Sequence, residues 1–567
     1  MVNTGKPSQG CGTCRARRIK CDERKPTCFR CQKSKRECTG YRNQLFLRRL
    51  GSGKGDIINW SQLPSAGNMD LYQSDWSNSI TNVTYRSVSP PETIILAPPT
   101  YGISTSIEEE ALCHFINSFV LLPCKGNSRS YMDFIIPAMK AEKSLISPGT
   151  SLNTAVMAVA MAAFGNRRRY QLVLAKAARQ YAKALKQVNE ALLDPELALE
   201  DQTLATVLIL GVFEAFTGTN TLLNGWSSHA EGAAMLVKMR AQRKLLSPLG
   251  RVLHIMARSQ LIVNCFVSST PPPLGVGWWM QLGTKDGLPC QVARLNLETA
   301  TLHAKANDVL AEAAMNPSNT DSIIEVQTMA QDLETKFRDW ELSQTPEWSF
   351  SSVAWVDEVD VSRLEHSPSF PGRLDEYKDI SIATAWCIMR SNRIMLGAGI
   401  VRANAWLHPD EDYRITPEYA STARISKNLI EDIIAAVPIF LGNFPEAFTR
   451  NRTPEIEKDA LGGKSSLALF IMWPLFIVTI SDHTTEDQRK WALGRLKLIA
   501  EEVGIRQASL FTQLTIRVPS MFIYKDRVAK EEGNAMAKVK CLKMALAKSK
   551  GIGKDAEHVL AGILGCK

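Results

Sequence analysis

Apolar residues recur at helical spacing over most of the chain, from a sharp boundary near residue 106. Ser106-Ile-Glu-Glu109 has the capping-box pattern, and Leu112, Phe115, Ile116 and Phe119 follow along one face. Residues 151–164 carry Ala, Met and Val on most faces and predict a buried helix. Residues 168–193 predict a long amphipathic helix, opened by Arg167-Arg168-Arg169 as a solvated basic end. Residues 202–217 are apolar nearly all round and predict a second core helix, followed by a shorter one over 226–240. Further helical patterns lie near 250–266, 296–314, 321–342, 378–397, 417–437, 464–480, 485–503 and 527–548. The most apolar stretch, Leu467–Ile480, falls short of the roughly 18 residues a membrane span needs. Pro474 interrupts it, which predicts a buried helix pair or a kinked helix. Strand-like alternation is confined to Val353–Val361. The expected fold class is a large all-α domain over 106–530, with a basic helix or tail over 531–567.

The residues before 106 read differently. Segment 1–45 is basic and rich in cysteine. Segment 46–105 turns to Ser, Thr, Asn, Pro and Gly with few charges and no sustained period, which predicts a flexible linker. A chain of 567 residues is also too long for one ordinary domain.

Charge sharpens this division. Residues 1–56 hold fifteen Lys/Arg against four Asp/Glu, or +11. The whole chain is +10, so the remaining 511 residues together carry −1. Excess positive charge confined to one short segment predicts a polyanionic partner for it.

Six of the thirteen cysteines fall at 11, 14, 21, 28, 31 and 38, and the other seven are scattered. The polar N-terminus has no apolar leader core, so no secretory signal is expected, and clustered thiols in a reducing compartment hold metal rather than disulfides. C-x2-C is the spacing at which a tight turn brings two thiolates to one metal. The segment repeats at a period of 17, pairing Cys11 with Cys28, Cys14 with Cys31 and Cys21 with Cys38. Two tetrahedral zinc ions need eight ligand positions, which six thiolates supply only if two of them bridge. Six thiolates and two Zn²⁺ leave a net −2, more than offset by neighbouring Lys and Arg. A mononuclear zinc ribbon on Cys11, Cys14, Cys28 and Cys31 would leave Cys21 and Cys38 idle. An iron–sulfur or metal-storage site would leave the interleaved basic residues unexplained.

The run from Cys11-Gly-Thr-Cys14-Arg-Ala-Arg-Arg-Ile-Lys-Cys21 to Cys28-Phe-Arg-Cys31-Gln-Lys-Ser-Lys-Arg-Glu-Cys38 resembles the fungal binuclear zinc cluster, the Zn2Cys6 DNA-binding module, in spacing and residue type. The resemblance implies two zinc ions per chain, held by Cys11, Cys14, Cys21, Cys28, Cys31 and Cys38, with Cys11 and Cys28 bridging. It implies a short helix over Arg15–Lys20 whose end enters the major groove, and a loop proline at Pro26. Relatives read CGG triplets, and Arg17 and Arg18 fit as base contacts, since an Arg fork matches guanine O6 and N7. Arg15, Lys20, Lys33, Lys35 and Arg36 are expected on phosphates, which supply affinity and register. Arg42, Arg48 and Arg49 suit phosphate contact, nuclear import or both. A segment this small has almost no apolar core, so metal binding supplies its folding energy, on the order of 10 kcal/mol for a structural zinc.

Downstream, Leu204–Phe216 with Glu214 and then Trp226-x-x-His229-x-x-Gly232-Ala-Ala resemble the helical regulatory domain of many fungal zinc-cluster proteins. Trp473-Pro474-Leu475-Phe476, Arg489 and Trp491 resemble its later block. The resemblance spans about 110–525 and departs from the family pattern at Met521–Arg527, where a Trp near an Arg is common. There is no phosphate loop, no G-x-S-x-G and no H-E-x-x-H, so no enzyme is expected. His229 reads as a hydrogen-bonded packing residue, Trp226 and Trp473 as core, and Lys-rich 538–554 as a solvated helix and tail. The expected partners are double-stranded DNA, the transcription machinery or co-regulators through the helical region, and a small-molecule effector between its helices; no membrane is expected. The alternative is an unrecognised enzyme fused to a DNA reader. Tyr41–Gly55 offers Leu45, Phe46, Leu47 and Leu50 but no sustained heptad, so any homodimer is expected to form beyond 106. The family resemblance adds a nuclear location and RNA polymerase II-dependent control of metabolic or secondary-metabolite genes.

Overall fold

The computed structural model divides the chain into two units, Met1–Ser104 and Thr105–Lys567. It describes residues 13, 14, 17, 19, 21, 22 and 28–34 of the first. Of the second it describes 105–546, apart from 121–131, 133, 142–149, 219–221, 243–246, 282–287, 317–319, 358 and 443–463.

The first unit contains α1 (Phe29–Lys33). Among its described residues the second is helical, interrupted by one two-stranded sheet. Its elements are α2 (Ile107–Phe119), α3 (Ile135–Ala141), α4 (Ser151–Arg168), α5 (Gln171–Leu193), α6 (Asp201–Thr217), α7 (Leu222–Gln242), α8 (Pro248–Ser268), α9 (Gly275–Gln281), α10 (Leu288–Met315) and α11 (Asp321–Leu342). After β1 (Phe350–Val356) and β2 (Gly372–Tyr377) come α12 (Ile380–Leu407), α13 (Pro417–Leu441), α14 (Lys464–Ile480), α15 (Glu486–Leu498), α16 (Gln507–Gln513), α17 (Ser520–Glu532) and α18 (Asn534–Leu546). A π-helical turn over Ile499–Val503 extends α15.

Helix starts follow their caps. At α2 the Glu109 N–H donates to Ser106 Oγ and the Ser106 N–H donates back to Glu109 Oε2, as the capping box predicted. Thr485 and Gln488 repeat the box at α15. Ser247 and Thr416 cap α8 and α13, each with Pro in the first turn, and each such cap contributes about 1 kcal/mol.

Every residue from Thr203 to Phe216 of α6 is buried, as its all-round apolar pattern predicted. α6 packs on α4, α7 and α8; α12 is buried over most of its length and packs on α10, α11, α13 and α14. The start of the unit meets its last third: α2 lies on both α4 and α14, and the π-turn lies on α4.

Several boundaries differ from the sequence expectations. Arg167 and Arg168 close α4 instead of opening α5, and Arg169 takes the left-handed conformation at φ 54°. The alternation read over Val353–Val361 is a strand at Phe350–Val356, with a 3-10 turn over Val361–His366 after it. α14 runs through Pro474 as one helix, with Trp473 buried. The pattern over 527–548 is two helices parted at Gly533, whose φ is 87°. No helix among the described residues is long and apolar enough to cross a membrane.

Candidate zinc cluster and DNA-reading face

Among the described residues of the first unit the buried side chains are thiols: Cys14, Cys28 and Cys31 are buried together, with Ile19 and Cys21 packed against them. Ile19 alone, as the one aliphatic side chain in that described cluster, cannot hold the segment folded. The thiols do not form disulfides. Cys14 Sγ stands 3.6 Å from Cys28 Sγ and 3.9 Å from Cys31 Sγ. A tetrahedral zinc with Zn–S bonds of about 2.3 Å has sulfur–sulfur edges of about 3.8 Å. The donor set therefore fits zinc in both chemistry and spacing. Cys28 also belongs to a second convergent group, with Cys21 and the Asp22 carboxylate. Among the described residues, these are the two places where three such metal-ligating side chains converge.

The backbone positions each thiol. Arg17 N–H donates to Thr13 O at 3.2 Å and Ile19 N–H to Cys14 O at 3.1 Å, closing a helical turn at Arg17. Cys28 is both a buried thiol and the N-cap of α1, its Sγ accepting from Cys31 N–H at 3.3 Å. Asp22 grips the same turn from outside. Its Oδ2 accepts from Phe29 N–H at 3.0 Å and its Oδ1 from Arg30 N–H at 3.2 Å. These bonds, the one from Phe29 foremost, hold its carboxyl below the ordinary value. Both Asp22 oxygens thus serve backbone donors. Sequence reasoning counted Asp22 only as a charge; the available signal was an acid right after Cys21 with a helix starting seven residues on.

Arg17 and Lys33 are exposed on this unit, available to a partner. Cys11, Cys38, Arg15, Arg18, Lys20, Lys35 and Arg36, together with Pro26, Arg42, Arg48 and Arg49, lie outside the described residues.

In the helical unit, His229 is buried and its Nε2 lies 3.1 Å from Tyr181 Oη. Tyr181 also donates to Glu214 and stacks on Phe213 at 4.2 Å, so the trio ties α5, α6 and α7 together. Burial pushes the His229 imidazole down to about 4. The side chain of Trp226 lies outside the described residues. Arg489 donates to the carbonyls of Ser481 at 3.0 Å and Thr484 at 3.2 Å, and Trp491 Nε1 donates to Ser367 O at 3.0 Å. These family-like positions close the end of α14 and pin α15 to the turn after β1.

The chain matches the fungal Zn(2)-Cys(6) binuclear cluster domain over residues 9–46 and the fungal specific transcription factor domain over 110–352. It is 25% identical over 413 residues to transcription factor dbaG of Emericella nidulans, covering 72% of this chain and 91% of that one. It is 39% identical over 94 residues to transcription factor lfc1 of Flammulina velutipes, covering 16% and 32% of the two chains. A 37-residue match at 57% identity, 6% of either chain, links it to the aspercryptin biosynthesis cluster-specific transcription regulator atnN of Emericella nidulans. No solved structure matches it. With a cysteine-rich unit of this geometry, both family domains in order and a transcription factor aligned over nearly its whole length, the chain belongs to the fungal Zn2Cys6 transcription factors.

Proposed function

We propose that the protein reads CGG-like triplets through a two-zinc head and controls genes of a metabolic or secondary-metabolite cluster. The carrying observation is the place of Cys28 in both convergent groups, as expected of a thiolate shared by two ions. In this reading Cys11, Cys14, Cys21, Cys28, Cys31 and Cys38 hold two zinc ions, and Cys11 and Cys28 bridge. Zinc would supply the charge that keeps six thiolates together and the free energy that folds the head.

Arg17, at the end of the first helical turn, and Arg18 contact guanine edges; Arg15, Lys20, Lys33, Lys35 and Arg36 take phosphates. Residues 1–45 form the reading head, 46–105 a tether, 106–530 the regulatory unit, and 531–567 a basic extension. Co-regulators, the polymerase II machinery and any second copy engage the regulatory unit, and the protein acts in the nucleus. The name of the aspercryptin regulator supports the secondary-metabolite assignment. Binding of the full chain to CGG-bearing and scrambled duplexes over a range of salt tests the reading. Equal affinity for both duplexes would refute it.

A further inference from the structure

We propose that a pocket in the helical unit binds a small zwitterion of the α-amino-acid class with an apolar side chain. The pocket is a half-open surface depression of about 220 Å³ between α2, α4, α13, α14, the end of α15 and the π-turn. A cavity of about 150 Å³ already takes a benzene-sized molecule, and drug-sized ligands need about 300 Å³ or more. The space therefore suits a small metabolite.

Its lining divides by chemistry. Leu441, Leu498 and Val503 are half-buried and apolar. Arg167 brings a guanidinium from the end of α4, and Glu502 brings a carboxylate from the π-turn. Arg167 and Glu502 are both exposed, and the Arg495 guanidinium lies near enough to Glu502 to feel its charge. Two opposite charges that share a pocket without meeting leave one anchor for a carboxylate and one for an ammonium. His114 and Ser465 add polar edges.

The two charged walls are locked together. Asn166, next to Arg167, donates through Nδ2 to Phe216 O at 2.5 Å and to Gly504 O at 2.9 Å. Gly504 ends the π-turn at φ 86°, and a Cβ there would lie 3.2 Å from Asn166 Cβ. Only glycine closes the turn against α4 this tightly. The inserted residue of a π-turn re-aims the side chains after it, and such turns recur at functional sites. Pre-set walls lower the ordering cost of binding. A ligand here would clamp the first helices of the unit to its last third and stabilise their closure by mass action. Its role as an effector rests on the regulatory reading of this unit; its binding does not.

Calorimetry on the full chain with the twenty common amino acids tests the proposal. At least one apolar amino acid should bind. Its amino-alcohol, its N-acetyl derivative, Arg167→Gln and Glu502→Gln should each weaken binding about tenfold or more. Absence of binding by all twenty, equal binding of the N-acetyl derivative, or binding that survives both substitutions would overturn it. Both substituted residues are exposed, and melting curves without ligand confirm that each variant is folded. CGG binding by the same preparations is read separately, so failure of the pocket and failure of the DNA-reading proposal remain distinguishable.

Discussion

Arg402 and Asp526 face each other in the core as a two-pronged pair. Nε donates to Oδ2 at 2.5 Å and Nη2 to Oδ1 at 2.8 Å, with both side chains buried. The guanidinium also lies 5.2 Å from the Phe522 ring and donates to Asn307 Oδ1. α10, α12 and α17 meet at this point. Removing one partner strands a buried charge, so Asp526→Ala should cost about 3–5 kcal/mol in urea unfolding of the full chain. Replacing both with leucine should cost clearly less. Equal losses would mean the pair is held by its surroundings and not the reverse.

Metal content distinguishes the thiols. Cys28 sits in both convergent groups, whereas Cys21 sits in one. Metal analysis of the intact chain should give two zinc ions. Cys28→Ala should lose both and abolish DNA binding, and Cys21→Ala should retain more metal than Cys28→Ala. One zinc in the unaltered chain would refute the binuclear assignment.

Base and phosphate contacts separate by their salt behaviour. Arg18→Ala, and less strongly Arg17→Ala, should lower the preference for CGG by about 1–3 kcal/mol. Lys20→Ala should weaken cognate and scrambled duplexes alike and reduce the salt slope by about 1. Competition titrations at several salt concentrations measure both quantities. An Arg18→Ala variant that loses affinity equally on the two duplexes would reverse the roles.

Much of this is legible in the sequence. The six cysteine positions, the Ser106–Glu109 box and the buried run through Thr203–Phe216 all carry local signatures. The α4–α5 break is legible, but its place is not: the pattern predicts helices over 151–164 and 168–193, whereas α4 runs on to Arg168 and packs closely on α5, a Cβ on Gly165 falling 2.8 Å from Leu174 Cδ2. Asp526 is opaque. It falls where the chain departs from its family's pattern, and its partner Arg402 is 124 positions away. Pairing across such distance leaves no periodic trace in sequence.

Acid should loosen the helical unit. Burial pushes the His229 and His254 imidazoles down to about 4, and burial foremost, with Arg402 and Lys525 nearby, takes His303 to about 3. The unfolded chain accepts these protons near the ordinary 6.5 and the folded unit resists them. Stability is then full above about pH 6.5 and declines as pH falls toward 4. The His254 ring stacks on Trp279 at 5.4 Å. The Trp279 backbone lies close, but no hydrogen bond of ordinary geometry forms to either ring nitrogen among the described residues. His254→Phe should therefore flatten the decline. Melting curves from neutrality to about pH 5, with chelator present throughout, read it. An unchanged slope would show that His254 titrates normally.

Gly494 offers a steric test of how α15 is seated. A Cβ there would fall 1.9 Å from Glu365 O, the carbonyl to which Arg495 Nη2 also donates. Gly494→Ala raises helix propensity yet should destabilise the unit by about 1–3 kcal/mol, since backbone must move. A stabilised variant in thermal melts would show that the 3-10 turn yields freely.

The Asn166–Gly504 contact joins positions 338 residues apart. During synthesis at about 5–20 residues per second, the first of these leaves the ribosome roughly 20–70 s before the second. Throughout that interval α4 and α6 lack the turn that covers them, and apolar faces wait in the open. A chain truncated after residue 352, where the match to the regulatory family domain ends, should therefore aggregate instead of forming a smaller regulator, and its soluble fraction on expression measures this.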